Sequence, residues 1–206
     1  MLVERVYGLR AEGNRAFIRD LSQEETVTFS KNRPAACRDE LPLIPLDAGL
    51  SLHSILATYP AFQPPHALVE FDGDFPLVHA NEAALTQCFS NPLGNAVKFV
   101  EPGVTPCLRV WAETRDDRVR LLFKDNGIGI EKDGHEKIFQ MFLRLSKSYE
   151  GTGIGLTIVK KAVGKMGGEV GLESQPGKGS TFWLDLARAN EAQPESLSNE
   201  HGDVAL

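Results

Sequence analysis

Apolar side chains recur at two different spacings along residues 42–188, and each spacing predicts a different kind of element. Spacings of three and four residues predict helices over 47–59, 81–100 and 155–166, the first of them capped by Asp47. The same helical pattern continues through HEKIFQMFLRL at 135–145. Alternate positions are apolar in five short stretches, which predicts strands: ALVEFD, CLRVWAETR, RVRLLFKD, GEVGLES and STFWLDLA.

The order of these elements predicts the fold class. The strands come in hairpin-like pairs instead of alternating strictly with helices, as they would in a Rossmann domain. We therefore expect an α+β fold, a two-layer sandwich with one mixed, mostly antiparallel sheet and about three helices on one face. This domain is expected to span 41–188. Residues 1–40 are weakly patterned and are interpreted as a leader or the end of a preceding module, whereas the polar, aperiodic stretch 189–206 predicts a disordered tail.

Composition limits the partners and the compartment. The net charge is −6 and no long basic run is present, which gives no support for nucleic-acid binding. The three cysteines are far apart and lack CxxC spacing, which favours reduced thiols in a cytoplasmic location. No 18-residue apolar stretch predicts a membrane-spanning helix, so no direct membrane insertion is expected.

The stretch SNPLGNAVKF, at 90–99, is the first candidate for chemistry. Asn91, Asn95 and Lys98 are spaced i, i+4 and i+7, so a helix would present all three on one polar face. Pro92 lies within this stretch, although proline disfavours helix interiors. Two outcomes are open: the proline sits about 200° round the helix from the polar face and kinks it, or it restarts the helix with Asn91 as the N-cap.

Three glycine-rich stretches follow. In DNGIGI, Asp125 ends a predicted strand and could accept a hydrogen bond from an amino group such as that of adenine, or could simply cap an ordinary turn. In GTGIGL, at 151–156, alternating glycines before a helix suit an anion such as phosphate. Neither Rossmann nor Walker spacing is present. GKGST, at 177–181, has the sequence of a hairpin turn.

The order of these four stretches, with a phenylalanine-bearing segment between the second and third, closely resembles the ATP-binding catalytic domain of sensor histidine kinases. That family belongs to the superfamily of gyrase, MutL and the large heat-shock chaperone, with the Bergerat α/β sandwich fold. The resemblance covers residues 42–188. The stretch from His135 to Val163 is especially similar to phytochrome-type and hybrid kinases.

The resemblance implies ATP and Mg²⁺ as cofactors and a role for each polar side chain. Asn95 would hold Mg²⁺ through its carbonyl oxygen, and Lys98 and Arg144 would contact the phosphates. Asp125 would accept from the adenine amino group. Further residues would line the nucleotide pocket or hold the adenine edge: Phe99, Gly127, Gly129, Ile130 and Thr181.

Residues 131–152 would form a mobile lid that Phe139 and Phe142 anchor by packing. The loop that closes over the phosphates would comprise Gly151, Thr152, Gly153, Ile154 and Gly155, with Leu156 packed beneath. Asn91 stands where the gyrase and chaperone branch has a glutamate that activates water. Because an amide cannot act as a general base, the resemblance favours phosphoryl transfer to a protein over ATP hydrolysis.

The implied partners are a dimerisation module that carries the phosphoacceptor histidine and a response regulator. None of the five histidines of the chain has the phosphoacceptor context, so the chain is interpreted as the catalytic portion alone, expected to be monomeric. Two alternatives stay open: a serine kinase of the anti-sigma-factor type, and a degenerate nucleotide-binding module without catalysis.

Overall fold

The fold was obtained as a computed structural model that describes residues 41–143, 149 and 152–190. The predicted leader, at 1–40, lies outside the described residues, and so does the part of the predicted tail from 191 onwards. Ala189, the first residue of that tail, is 4% exposed, and its N–H donates to the Leu77 carbonyl at 2.9 Å. None of the described helices is long and apolar enough to cross a bilayer.

Seven strands and three α-helices make up the described regular structure, with short 3₁₀ turns between them. In chain order they are β1 (Ile44–Asp47), α1 (Ala48–Thr58), β2 (Leu68–Asp72), β3 (Leu77–Ala80), α2 (Glu82–Lys98), β4 (Cys107–Arg115), β5 (Arg118–Asp125), α3 (Gly155–Lys165), β6 (Glu169–Ser174) and β7 (Ser180–Ala187).

The predicted α+β class is confirmed. The five predicted strands form one sheet in the order β2–β4–β5–β7–β6, in which only the β2–β4 pair is parallel. Helix caps follow the sequence: Asp47 accepts from the Leu50 N–H, and Asn81 accepts from the Ala84 N–H.

The sequence pattern did not predict the second, two-stranded sheet. β1 and β3 pair antiparallel as a separate two-stranded sheet, with Leu46 opposite Val78. Each strand is only four residues long, and the prolines around β1 predict a loop. Pro45 is tolerated because β1 is an edge strand, where a missing N–H can face outward.

The helices pack on one face of the five-stranded sheet. Alternate residues of the three central strands point into this core, including Val110 on β4, Phe123 on β5 and Leu184 on β7, each at most 1% exposed. The rings of Phe89 on α2 and Phe123 lie 5.7 Å apart. This contact fixes α2, which carries the asparagine stretch, against the middle of the sheet.

The opposite face of the sheet carries an ion-pair cluster. Asp185 on β7 is 8% exposed and accepts from Arg118 at 2.7 Å and from Arg120 at 3.0 Å. Burial alone would raise the pKa of Asp185, but the hydrogen bonds from both guanidinium groups outweigh that effect and lower it.

We expect Asp185→Ala to destabilise the fold by about 2 kcal/mol, since two partly buried guanidinium groups lose their acceptor. Because the folded state lowers the pKa of Asp185, its ionised carboxylate stabilises the fold at pH values above the unfolded-state pKa. This stabilisation is lost as pH falls through the folded-state pKa. The variant should therefore lose less stability on acidification than the wild type, measured by urea unfolding.

Asp72→Ala, which removes the exposed Arg109–Asp72 pair, should change stability by less than about 1 kcal/mol. Equal losses in the two variants would contradict this account.

The helix predicted over 135–145 is wrong for its described part. That part contains a 3₁₀ turn at Lys137–Phe139 and then a turn in which the Phe142 N–H donates to the Gly153 carbonyl at 3.1 Å. Phe142 has a left-handed backbone, with φ of 61°, which ends any helix. Phe139 packs against the core as expected, but Phe142 is 70% exposed, so the prediction that it anchors the segment by packing is wrong.

Candidate functional site

The polar face of α2 begins with a buried amide. Asn91 is 6% exposed, and its Nδ2 donates to the Gln87 carbonyl at 2.9 Å. A Cβ added to Gly155 would lie 2.1 Å from Asn91 Oδ1, so the amide oxygen sits directly against the start of α3. α2 runs through Pro92 without interruption. Asn91 is therefore an interior helix residue, and the alternative in which it caps a restarted helix is wrong.

The last two turns of α2 carry the other polar side chains. Asn95 is half-buried, and among the described residues no group donates to or accepts from its side-chain amide. Lys98 Nζ lies 4.6 Å from the centre of the Phe99 ring. That ring meets Tyr149 edge-on at 5.2 Å. The Asn95 amide is thus one turn along the helix from Asn91, with its oxygen available to a ligand.

Asp125, the last residue of β5, is the charged side chain at the end of the sheet next to this helix. It is 8% exposed, and its Oδ1 accepts from the Gly127 N–H at 2.8 Å and the Ser180 N–H at 3.0 Å. Burial raises the pKa of Asp125, and the two backbone donors offset part of this rise. No described residue donates to Oδ2. The carboxylate is held rigidly through one oxygen and keeps the other as an acceptor.

The loop after Asp125 needs glycine where the backbones of other segments come close. A Cβ on Gly127 would lie 2.5 Å from the Phe99 carbonyl oxygen. Gly129 has φ of +69°, and its Cβ would lie 2.0 Å from the Gln175 carbonyl oxygen. The N–H of Ile128 donates to Phe99 at 2.8 Å, which ties this loop to the end of α2. Ile130 packs against the core, as expected for a residue that shapes the pocket.

Two adjacent hydroxyl residues begin β7, and they point in opposite directions. Ser180 alternates in phase with the core residue Phe182, and it donates its N–H to Asp125. Thr181 lies on the other face, with Lys124 as its register partner. The structure therefore brings Ser180, and not Thr181, to the Asp125 carboxylate. Sequence reasoning missed Ser180, although its in-phase spacing from Phe182 was a usable signal.

The glycine-rich loop ends at the N-terminus of α3. Thr152 is exposed, and Gly153 has φ of +71°, as a tight loop requires. Ile154 occupies the N-cap position and its side chain makes no capping hydrogen bond, so the first N–H groups of α3 are not capped by a side chain there. Leu156 packs against the core from the first turn. Two predicted residues of this region, Arg144 and Gly151, lie outside the described residues.

Contacts join these parts into one site. Asn91 touches the start of α3 at Gly155, α2 ends at Phe99, and Phe99 contacts the loop at Gly127 that follows Asp125. The site thus combines a rigid carboxylate acceptor, an amide oxygen that pairs with no described residue, a lysine and a helix N-terminus. These groups suit a ligand with an amino-bearing ring at one end and anionic oxygens at the other.

Gly155→Ala should disturb this site, because its Cβ collides with Asn91 Oδ1 at 2.1 Å. We expect nucleotide affinity to fall about tenfold, because the amide must leave its buried position. Gly164→Ala is the matched control, since it lies in the same helix with nothing within 4 Å of the added Cβ. It should stabilise the protein by up to about 1 kcal/mol through helix propensity and leave affinity unchanged. Isothermal titration calorimetry of both variants tests this, and equal affinities would contradict it.

Known proteins match this chain in sequence and structure. A family profile, histidine kinase-, DNA gyrase B- and HSP90-like ATPase, matches residues 80–190, more than half of the chain. The phytochrome-like protein Cph1 of Synechocystis is 38% identical over 120 residues, 57% of this chain and 16% of that protein. The sensor histidine kinase AruS of Pseudomonas aeruginosa is 39% identical over 135 residues, 61% of this chain and 14% of that protein.

Among solved structures, full-length ShkA in complex with AMPPNP superposes with a TM-score of 0.64 at 27% identity, covering 91% of this chain and 39% of that chain. The match to Cph1 agrees with the phytochrome-like sequence that begins at His135. The chain spans only 14–16% of the length of the two curated relatives.

Proposed function

Because the chain belongs to the histidine kinase-, DNA gyrase B- and HSP90-like ATPase family, we propose that it is the ATP-binding catalytic domain of a two-component sensor histidine kinase. It transfers the γ-phosphate of ATP to a histidine on a dimerisation module. The sensor histidine kinase AruS and the AMPPNP complex of ShkA support this assignment by similarity.

The geometry of Asp125 carries the nucleotide proposal. Its Oδ1 is occupied by two backbone donors, and Oδ2 accepts from no described residue. A buried carboxylate with one open acceptor position is suited to a neutral donor such as the 6-amino group of adenine. The adenine ring then lies beside the loop from Gly127 to Ile130, and the triphosphate extends towards α2 and the N-terminus of α3.

The residues of α2 fit a magnesium ion bound together with the triphosphate. Mg²⁺ prefers hard oxygen ligands and shares them with phosphates and water, so one amide oxygen from the protein suffices. Asn95, whose side chain has no described hydrogen-bond partner, would supply that oxygen, and Lys98 would contact phosphate as a point charge. When bound, the ion neutralises charge on the phosphate oxygens during transfer.

Asn91 favours transfer over hydrolysis. Its amide has no basic group that could deprotonate water, and its Nδ2 is committed to the Gln87 carbonyl. The side chain instead supports the start of α3, where the phosphates would lie. The residues of this chain therefore bind, orient and neutralise the triphosphate, and the acceptor histidine of the partner module supplies the nucleophile.

The partners follow from this chemistry: a dimerisation module with the phosphoacceptor histidine, and a response regulator that receives the phosphate. We further propose a cytoplasmic location, where ATP is available and where Cys88 and Cys107 stay reduced. The catalytic domain acts as a monomer, with dimerisation left to its partner module.

Asn95→Ala tests the metal assignment and the nucleotide site together. We expect the affinity for Mg-ATP to fall about tenfold, because one direct ligand of the ion is lost, while the affinity for ATP in EDTA stays within about twofold of the wild type. Isothermal titration calorimetry with and without Mg²⁺ measures both. Wild-type protein that binds no ATP at millimolar concentration would refute the proposed function, and an equal loss in EDTA would refute only the metal role.

A further inference from the structure

Two serine hydroxyls form a short chain behind Asp125. Ser174, at the end of β6, is the register partner of Ser180, and their Oγ atoms lie 3.0 Å apart. Ser174 Oγ also donates to the Gly179 carbonyl at 2.9 Å and accepts from the Ile130 N–H at 2.8 Å. One hydroxyl thus joins the β6–β7 turn, the first residue of β7 and the loop that follows Asp125.

The direction of the hydrogen bond between the two serines follows from counting protons. A hydroxyl has one proton, and a carbonyl can only accept. The proton of Ser174 therefore goes to Gly179. Ser180 must donate its own proton to Ser174, so Ser180 Oγ offers only lone pairs to any other neighbour.

The Ser180 side chain lies on the same side of the strand as the core residue Phe182, and its own N–H donates to Asp125. Lys124 pairs with Thr181 in the sheet, so the next pair sets Asp125 opposite Ser180, with both side chains on the same face. The Asp125 carboxylate and Ser180 Oγ are therefore neighbouring acceptors with no proton to give. We infer that Ser174 is a positioning residue for base selectivity: it fixes Ser180 as an acceptor, so that the site takes a purine with a 6-amino group and rejects one with a 6-oxo group. This inference rests on the proposed nucleotide function.

The chemistry of the two bases explains the selection. The adenine 6-amino group has two N–H donors, which suit two acceptors. Hypoxanthine instead has an acceptor, O6, beside a donor, N1–H, so in the wild type O6 meets no proton. If Ser180 were released from Ser174, its hydroxyl could rotate and donate to O6 while N1–H donates to Asp125.

The test compares Mg-ATP with Mg-ITP, which differ at the 6-position, by isothermal titration calorimetry on the chain. We expect the wild type to prefer ATP and Ser174→Ala to lower the ATP-to-ITP affinity ratio about tenfold, the effect of one hydrogen bond. Loosening of the loop alone would weaken both nucleotides and leave the ratio unchanged. Ser174→Thr keeps the hydroxyl and should keep the ratio. In the Ser180→Ala background, Ser174→Ala should shift the ratio no further.

Two results would overturn the inference while the nucleotide function stands. In the first, Ser174→Ala binds ATP with an unchanged ATP-to-ITP affinity ratio. In the second, Ser174→Ala shifts that ratio by the same factor in the Ser180→Ala background as in the wild type. If Ser174→Ala does not fold, Ser180→Ala alone decides, because removing the acceptor should lower the ratio and an unchanged ratio refutes the inference. Wild-type protein that binds neither nucleotide would refute the proposed function and the inference together.

Discussion

Asp125→Asn should lower the affinity for Mg-ATP about a hundredfold and leave the fold intact. The two backbone donors, Gly127 and Ser180, hold the oxygen that takes the place of Oδ1, so the new amide must turn its NH₂ towards the adenine amino group. A charge-assisted hydrogen bond is then replaced by two opposed donors, at a cost of about 2.7 kcal/mol.

The stability of this variant separates recognition from folding. Burial raises the pKa of Asp125, so the folded state favours the protonated carboxyl. At neutral pH, the ionised carboxylate therefore destabilises the folded state. The neutral amide removes this cost, and we expect urea unfolding to show stability equal to or above that of the wild type. Mg-ITP, whose O6 can accept from the new NH₂, should lose less affinity than Mg-ATP. An unchanged affinity for ATP would remove Asp125 from adenine recognition.

Gly179→Ala is expected to have the largest effect on stability among glycine substitutions in the β6–β7 turn. Gly179 has φ of +79°, and an added Cβ would lie 2.0 Å from the Asp125 carbonyl oxygen, a backbone atom that cannot rotate away. We expect a loss of about 3 kcal/mol, from left-handed strain and from the displaced loop. Nucleotide binding should fall with it, because the collision displaces the backbone of Asp125 and with it the carboxylate.

Gly177→Ala provides a matched control in the same turn. Gly177 has a similar φ of +72°, but nothing lies within 4 Å of its added Cβ. The Gly177→Ala variant should lose about 1 kcal/mol of stability, from left-handed backbone strain alone, and keep its affinity for ATP. Urea unfolding and calorimetry of the pair separate the strain from the collision. Equal losses in both variants would show that contact with the Asp125 backbone does not matter.

The sequence was informative where local pattern and tertiary packing agree. Apolar and polar residues alternate along the strands from β4 to β7, because the helices cover one face of the sheet. This alternation is visible in the sequence. The cap at Asp47 is likewise local, since the side chain bonds an N–H three residues on. The order of the asparagine and glycine stretches predicted the proposed nucleotide site through its resemblance to a known family.

Long-range pairings were the part that local pattern could not provide. β1 and β3 are four residues each, and their regularity depends on pairing with one another and on the bridge from Val78 to Arg188, just after β7. The helical spacing around Phe139 was misleading, because a hydrogen bond from Phe142 to the distant Gly153 determines the backbone there. Thr181 was predicted from the family resemblance without considering Ser180, and only the alternation set by Phe182 shows which of the two hydroxyl residues faces Asp125.

Pro92 is the remaining irregular feature of the site. It lies within a continuous α2 and is buried, so it does not disrupt the helix that carries Asn91 and Asn95. This removes the main support for a degenerate module without catalysis. The proposed catalytic function then depends on whether the bound phosphate reaches a histidine.

Phosphoryl transfer is the most direct measurement of that claim. The chain is mixed with Mg-[γ-³²P]ATP and the two-helix phosphoacceptor module of a related sensor kinase, with Asp125→Asn as the control. We expect the module to become labelled with phosphate that is labile in acid and stable in base, and the control to give little label. ATP binding that yields only inorganic phosphate, or a phosphoprotein stable in acid, would contradict it.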